Sequence, residues 1–236
     1  MKQQEIIDWF KQHDIEDIEV IVPDMAGVAR GKMLLAEKFL EQPAMRLPES
    51  VFVQTITGEY LHEPLINPAD RDILVKPDMD TLRVLPWAKD STATVINDCY
   101  YEDGSAVDIS PRQVLRNILK VYQEKNMVPM VAPELEFYLV KRNTDPTVPL
   151  EPPIGRSGRQ ETVRQPFSID ALDEFEPVIE DIYQYADSMG IKIDTLEHEM
   201  GTAQLEINFE HGEAMQLCDH VIMFKRIVRE AAMRHN

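Results

Sequence analysis

The chain has 236 residues, 44% of them hydrophobic, which allows one large or two modest domains with a substantial core and sets aside a disordered chain. Asp and Glu outnumber Lys and Arg 42 to 24; the formal charge of −18 repels phosphate backbones and anionic membranes, so nucleic acid is excluded as a partner, while a cationic substrate, site-bound cations or plain solubility all fit. Cys99 and Cys218 form no CxxC pair, Met1 to Asp8 has no signal-peptide core, and no apolar run is long enough to span a bilayer, so a reduced, cytoplasmic chain with no membrane partner is expected.

Gln3 to His13 has helical spacing, with Ile6, Ile7 and Phe10 on one side. Ile18 to Val22 and Ala29 to Leu35 read as strands joined by a turn at Pro23–Gly27. Val51 to Thr57, Ile73 to Val75, Thr81 to Leu85 and Thr92 to Asn97 are further strand candidates, giving a small sheet with little helix. The pattern changes near Asp108. Ser110, Pro111 and Gln113 open a helix whose buried stripe is Val114, Leu115, Ile118, Leu119 and Tyr122.

In Met130 to Val140, Leu135, Phe137 and Leu139 alternate with Glu134 and Glu136, a strand with both acids on one face. Asn143 to Gln165 is rich in Pro, Gly and charge and reads as a long mobile loop, either a spacer or a functional flap. A helix over Glu176–Met189 turns Val178, Ile179, Ile182 and Ala186 to the core and stops at Gly190. Ile191 to Leu196 and Gln204 to Phe209 are strands, the second with Leu205, Ile207 and Phe209 on one face and Gln204, Glu206 and Asn208 on the other. The last helix starts near Glu213, carries Cys218, Val221, Ile222 and Val228, and runs to the final residue.

Two carboxylates as close as Glu134 and Glu136 repel, and desolvating them is costly unless a proton or cation compensates. Glu199 and Glu206 add acids beside the next strands. Oxygen-only ligation suits Mg²⁺ or Mn²⁺ rather than Zn²⁺. Each acid taken alone also fits a solvent-facing place on a half-exposed sheet.

Pro133 to Leu139 (PELEFYL) resembles the Glu-x-Glu-Phe strand of the glutamine synthetase family. Glu199 to Phe209 (EMGTAQLEINF) resembles its second signature, in which two metal-binding glutamates bracket a small-residue turn and a Gln. Asp72 to Asp78 resembles a strand-turn of the family's N-terminal domain, and the helix around Asp219 to Arg229 resembles the one that follows the second signature. The likeness covers essentially the whole chain in order. Asp24 to Lys32 and Pro48 to Gly58 look most like the γ-glutamylputrescine (γ-glutamylpolyamine) synthetase branch. Glutamine synthetase proper carries an Asp-Gly-Ser-Ser stretch near Pro48, whose Asp helps bind and deprotonate ammonium across a subunit interface. Leu47 to Val51 (LPESV) has no aligned Asp, which favours an amine acceptor; Glu49 is the available substitute.

The resemblance implies an ATP-dependent ligase that phosphorylates the glutamate side-chain carboxylate and passes the acyl group to an amine such as putrescine or, in the alternative, to ammonia in glutamine biosynthesis. It implies Mg²⁺ or Mn²⁺ as cofactor, with Glu136, Glu199 and Glu206 around the metal near the glutamate carboxylate and Glu134 on the metal near the phosphates. Asp194 falls where the family often has a nucleotide-contacting acid, and His198, next to Glu199, reads as a solvated or structural histidine. The implied fold is α+β: a β-grasp-like domain over residues 1–108, then the first part of an antiparallel catalytic sheet, an open barrel with flanking helices, over 109–236. The implied partners are glutamate, ATP and the acceptor, in a homo-oligomer that is a dodecamer in the family. The His-x-His segment and the substrate-binding arginines expected further on are not in these residues, so the chain reads as an N-terminal portion, inactive alone or serving only as an assembly module.

Overall fold

The computed structural model describes residues 1–60 and 69–235, in two compact units, Met1–Pro129 and Met130–Asn236. The fold is α+β throughout, and no helix among the described residues is long and apolar enough to cross a membrane.

The first unit follows the alternation of its apolar residues. Helix α1 (Gln3–Gln12) buries Phe10, with Ile6 and Trp9 packed against the same core. Strands β1 (Asp17–Pro23) and β2 (Ala29–Leu35) form a hairpin. Its turn is organised by Asp24, whose carboxylate accepts from the amides of Ala26 and Val28 and from Arg30 Nε. Then come α2 (Ala36–Glu41), β3 (Met45–Pro48), a 3₁₀ turn over Glu49–Val53, β4 (Asp72–Pro77), a second 3₁₀ turn over Met79–Thr81, β5 (Arg83–Val84) and β6 (Thr92–Tyr100). The strand order is β2-β1-β6-β4-β3, with β5 also on β6. Because β1 and β6 pair in parallel while the other pairs are antiparallel, the sheet is β-grasp-like. Ile18, Val20, Phe39, Phe52, Ile73, Val75 and Val95 are sealed in its core.

Several local readings change here. Val51 to Thr57 is not a strand: Val51–Val53 coil into the first 3₁₀ turn and bury their side chains that way. Helix α2 and strand β3 escape the pattern because each is short. Helix α3 (Pro111–Glu124) starts at Ser110 as expected, but the serine makes no side-chain cap bond. Its apolar stripe is not buried: Val114, Ile118 and Tyr122 are exposed. The helix is instead tied down at its start by Arg112, which is buried and donates to Asp78 at 2.8 Å and to Asp98. Ionic anchoring at one end replaces apolar burial along a face.

In the second unit, β7 (Met130–Val131) and β8 (Glu134–Tyr138) lead into an irregular segment. Helices α4 (Ile169–Asp173) and α5 (Glu176–Ser188), strands β9 (Ile193–His198), β10 (Gln204–Phe209) and β11 (Gly212–Glu213), and helix α6 (Ala214–Arg234) follow. The main sheet has order β8-β10-β9, antiparallel throughout, so β10 is central. β9 begins two residues later than the apolar run, because Gly190, at φ +71°, ends α5 and Ile191 packs under it before the strand starts. On β10 the apolar face carries Leu205, packed with Phe175 and Ile179, and Phe209, which meets Phe224 of α6 edge-on at 5.0 Å. Each fully buried side chain of this kind contributes about 1.5–3 kcal/mol. The core-facing positions of α6 are Leu217, Phe224, Ile227 and Ala231, whereas Cys218 is exposed. With α5 and α6 on one face of β10, the other face is left for the polar side chains.

The segment from Asn143 to Gln165, read from sequence as a mobile loop, lacks helix and strand but is pinned. The Arg156 amide donates to the Glu174 carbonyl, the Ser157 amide to the Glu174 side chain, and Arg156 pairs with Glu176. Its glycines and prolines make turns rather than slack: Ile154 and Gln160 bridge across the turn at Gly158.

Candidate metal centre

The register of three strands assembles the acids. Glu136 on β8 stands directly opposite Glu206 on β10, and Glu206 stands opposite Glu197 on β9. Paired residues share a face, so one row across the sheet carries three carboxylates. Glu199 follows β9 and enters the same space from the turn to β10. Glu136, Glu199 and Glu206 each offer an oxygen, and these atoms all lie within 4.8 Å of one another. Three carboxylate oxygens from three chain segments at that spacing fit a hard divalent cation such as Mg²⁺ or Mn²⁺.

The electrostatics agree with an uncompensated cluster. Glu206 is 9% exposed. Burial, followed by the neighbouring charges of Glu197, Glu199 and Glu134, holds its carboxyl above the usual carboxylate range, against the lowering effect of its hydrogen bond with Asn208. No Lys, Arg or His ion pair to Glu134, Glu136, Glu197, Glu199 or Glu206 is present among the described residues. A bound cation would supply the missing positive charge.

Neutral groups hold the cluster in place. Gln204 Nε2 donates to Glu136 Oε2 at 2.7 Å, while its Oε1 accepts from the Gly201 amide at 2.7 Å and from the Tyr138 hydroxyl at 2.9 Å. The Met200 amide donates to Glu199 Oε2 at 2.7 Å. Gly201 allows a close approach: a Cβ there would lie 2.5 Å from the Tyr138 ring and hydroxyl and 2.8 Å from Gln204 Oε1, so these side chains would have to shift.

Glu134 and Asp194 lie outside the three-carboxylate group. Glu134 is exposed on the same face of β8 as Glu136, one pair further along, opposite Asn208. Asp194 is exposed near the start of β9. His198 is buried at 1% exposure, which fits a structural and not a solvated histidine. Its Nδ1 lies 2.9 Å from the Glu199 carbonyl oxygen and its Nε2 lies 3.1 Å from Glu161 Oε2. Sequence reasoning missed Glu197, Glu161 and the role of Gln204. The alternation on β9 puts Glu197 on the acid face only once its register with β10 is known. Glu161 sits in an irregular segment with no period to read.

Comparison with known proteins follows the same residues. The family model "Glutamine synthetase, catalytic domain" matches residues 108–236, more than half of the chain. The chain belongs to the glutamine synthetase family. Within it, the γ-glutamylputrescine synthetase PuuA of Escherichia coli (strain K12) is 30% identical over 228 residues, covering 92% of this chain and 47% of that protein. A glutamine synthetase of Pyrococcus abyssi (strain GE5 / Orsay) is 31% identical over 219 residues, covering 92% of this chain and 45% of that one. Among solved structures, a GmaS–ADP complex superposes with a TM-score of 0.79 at 24% identity, over 98% of this chain and 49% of that chain, a likeness of fold. The chain thus spans about half the length of the glutamine synthetase family members it matches. The matched region holds all three clustered glutamates, and the family-model match starts at residue 108, ahead of α3 and of the division between the compact units at 129/130.

Proposed function

We propose that this chain supplies the divalent-metal-binding part of an ATP-dependent ligase that joins the glutamate γ-carboxylate to an amine, putrescine or a longer polyamine, through a γ-glutamyl phosphate. The observation that carries this reading is the convergence of Glu136, Glu199 and Glu206 from β8, the β9–β10 turn and β10. Those three carboxylates would hold a Mg²⁺ or Mn²⁺ ion, with Glu134 beside a second on the phosphate side and Asp194 as a weaker candidate for nucleotide contact. Bound there, an ion would neutralise phosphate charge and the charge that develops on the acyl oxygen when the amine attacks the γ-glutamyl phosphate and phosphate leaves. The chain's own part is to fix the oxygens: Gln204 orients Glu136, and the Met200 amide orients Glu199.

The likeness to the γ-glutamylputrescine synthetase is compatible with an amine acceptor. What favours an amine over ammonia is Glu49, the residue nearest the missing ammonium-site Asp. It is fully buried, pairs with Arg71 Nε at 3.0 Å and accepts from the Tyr101 hydroxyl at 2.7 Å, so its carboxylate is committed. The net charge of −18 would also draw in a polycation. Glutamine synthesis from ammonia is the second reading, carried by the equally similar Pyrococcus abyssi glutamine synthetase. Two free cysteines fit a cytoplasmic setting, and the family reading makes the working form a homo-oligomer.

Titration of the chain with Mn²⁺, followed by electron paramagnetic resonance, tests the metal centre. Saturable uptake that Glu136→Gln removes supports it; no uptake, or uptake indifferent to Glu136, sinks it. ADP release measured with glutamate plus putrescine, against glutamate plus ammonium, then separates the acceptors. Metal binding without ADP release in either mixture assigns the chain a binding or assembly role alone.

A further inference from the structure

We propose that Glu161 is a positioning residue for the carboxylate cluster, acting through the turn between β9 and β10; this rests on the metal reading above. The Glu161 side chain is 6% exposed, although it comes from the irregular segment between β8 and α4. Its Oε2 accepts from the Ala203 amide at 2.6 Å and faces His198 Nε2 at 3.1 Å. His198 reaches the Glu199 carbonyl through its other nitrogen. One carboxylate oxygen therefore grips both sides of the turn: the end of β9, next to Glu199, and the residue before Gln204.

The turn needs such a grip. Ala203 is wholly buried with φ +53°, the left-handed region in which a residue with a Cβ is strained. A backbone held there must be over-determined by its surroundings. The strain sits one residue before Gln204, which holds Glu136, and three before Glu206. The amide of Glu199 donates to the carbonyl of Gln204 at 2.8 Å, so a shift at Ala203 passes to both clustered glutamates flanking the turn.

The other oxygen of Glu161 points to the same role. Oε1 is buried and has no hydrogen-bond partner among the described residues. A carboxylate half satisfied in the interior is a poor device for stability alone, because its desolvation is only partly offset. Such a group fits a place where the geometry of one oxygen matters.

The test measures Mn²⁺ affinity and thermal melting of the full chain for wild type, Glu161→Ala, Glu161→Asp and Glu161→Gln, with Glu136→Gln as reference. Losing a partner that directly touches a metal ligand typically lowers affinity about 10–100-fold. Glu161 stands one contact further out, through Ala203 and His198, so Glu161→Ala and Glu161→Asp, which remove or withdraw the acceptor, are expected at the lower end, a fall of about tenfold. Glu161→Gln keeps an acceptor oxygen at the same reach and is expected within about threefold of wild type. A purely structural role would lower the melting temperature and leave the affinity of the folded protein alone. A folded Glu161→Ala that binds Mn²⁺ like wild type overturns the proposal, and if the alanine variant does not fold, wild-type affinity in Glu161→Asp does so. Absent or Glu136-independent uptake in wild type overturns the metal reading itself, a different outcome from the first.

Discussion

Glu136 and Glu206 face each other directly across the β8–β10 pair, two acids where neighbouring strands place their side chains closest together. Like charges in that position destabilise a sheet by roughly 0.2–1 kcal/mol, and burial adds to the cost at Glu206. The arrangement opposes folding of the empty protein and favours a cation. Glu206→Gln removes one charge and keeps the shape. Without metal, the variant is expected to melt a few degrees above wild type, since about 1 kcal/mol moves a domain of this size by roughly 4–8 °C. With saturating Mn²⁺ the order reverses, because ligand binding raises the melting temperature only of a protein that binds it. Differential scanning fluorimetry with and without Mn²⁺ reads both halves. An equal Mn²⁺-induced rise in the two proteins contradicts the assignment of Glu206.

Gly201 gives an independent handle on the same cluster, since it is not itself a ligand. A methyl group there collides with Tyr138 and Gln204 Oε1, both ends of side chains that can move. The expected response of Gly201→Ala is displacement of Gln204 and loss of its bond to Glu136, with the sheet intact. One hydrogen bond is worth about 1 kcal/mol, so Mn²⁺ affinity should fall about fivefold. Isothermal titration reads the affinity, and circular dichroism checks that the fold is kept. Unchanged affinity would show that Gln204 does not orient Glu136.

Where one strand's own pattern decides the outcome, the sequence was legible. β8 and β10 alternate apolar and polar residues, so the face of each side chain follows, and Glu136 and Glu206 came with them. Glu199 was reached through its family motif. What stayed hidden depends on partners distant in the chain. Glu197 joins the acid row only through pairing with β10, and Glu161 reaches the turn from 42 residues away. The stripe on α3 misled for a related reason. Helical periodicity shows that a face is apolar; it does not show what covers it, and Arg112 with Asp78 and Asp98 holds the helix instead.

Glu49 separates a structural acid from a substrate-binding one. Its carboxylate holds Arg71 and the Tyr101 hydroxyl, and the Arg71 guanidinium lies 3.8 Å from the centre of the Tyr101 ring. Glu49→Ala is expected to destabilise the first unit by about 1 kcal/mol or more, the net worth of a hydrogen bond such as the one it accepts from the Tyr101 hydroxyl, with the emptied buried site adding to the loss. Mn²⁺ affinity should not change. Both tryptophans, Trp9 and Trp87, lie in the first unit, so their fluorescence in a urea titration reports that unit alone. A variant as stable as wild type would return Glu49 to the list of candidate amine-binding groups.

The first unit should also carry a specific acid sensitivity at Asp78. Burial pushes this carboxyl up, but the hydrogen bond and charge of Arg112, helped by the Asp80 amide and Arg116, more than offset that and hold it below its ordinary value of 3.8. A carboxyl lowered in the folded state binds its proton more weakly there than in the unfolded chain. Its contribution to stability is therefore complete above the unfolded value, near 4, and disappears as pH falls through the lower folded value. Asp78→Asn lacks that contribution at every pH and takes one of its charged partners from Arg112, which is 4% exposed. The expected result is a gap in unfolding free energy between wild type and Asp78→Asn that is constant above about pH 5 and narrows below pH 4. Urea titrations followed by tryptophan fluorescence between pH 3 and pH 7 would measure it. A gap that persists unchanged at pH 3 would mean that Asp78 stabilises the unit by packing rather than by charge.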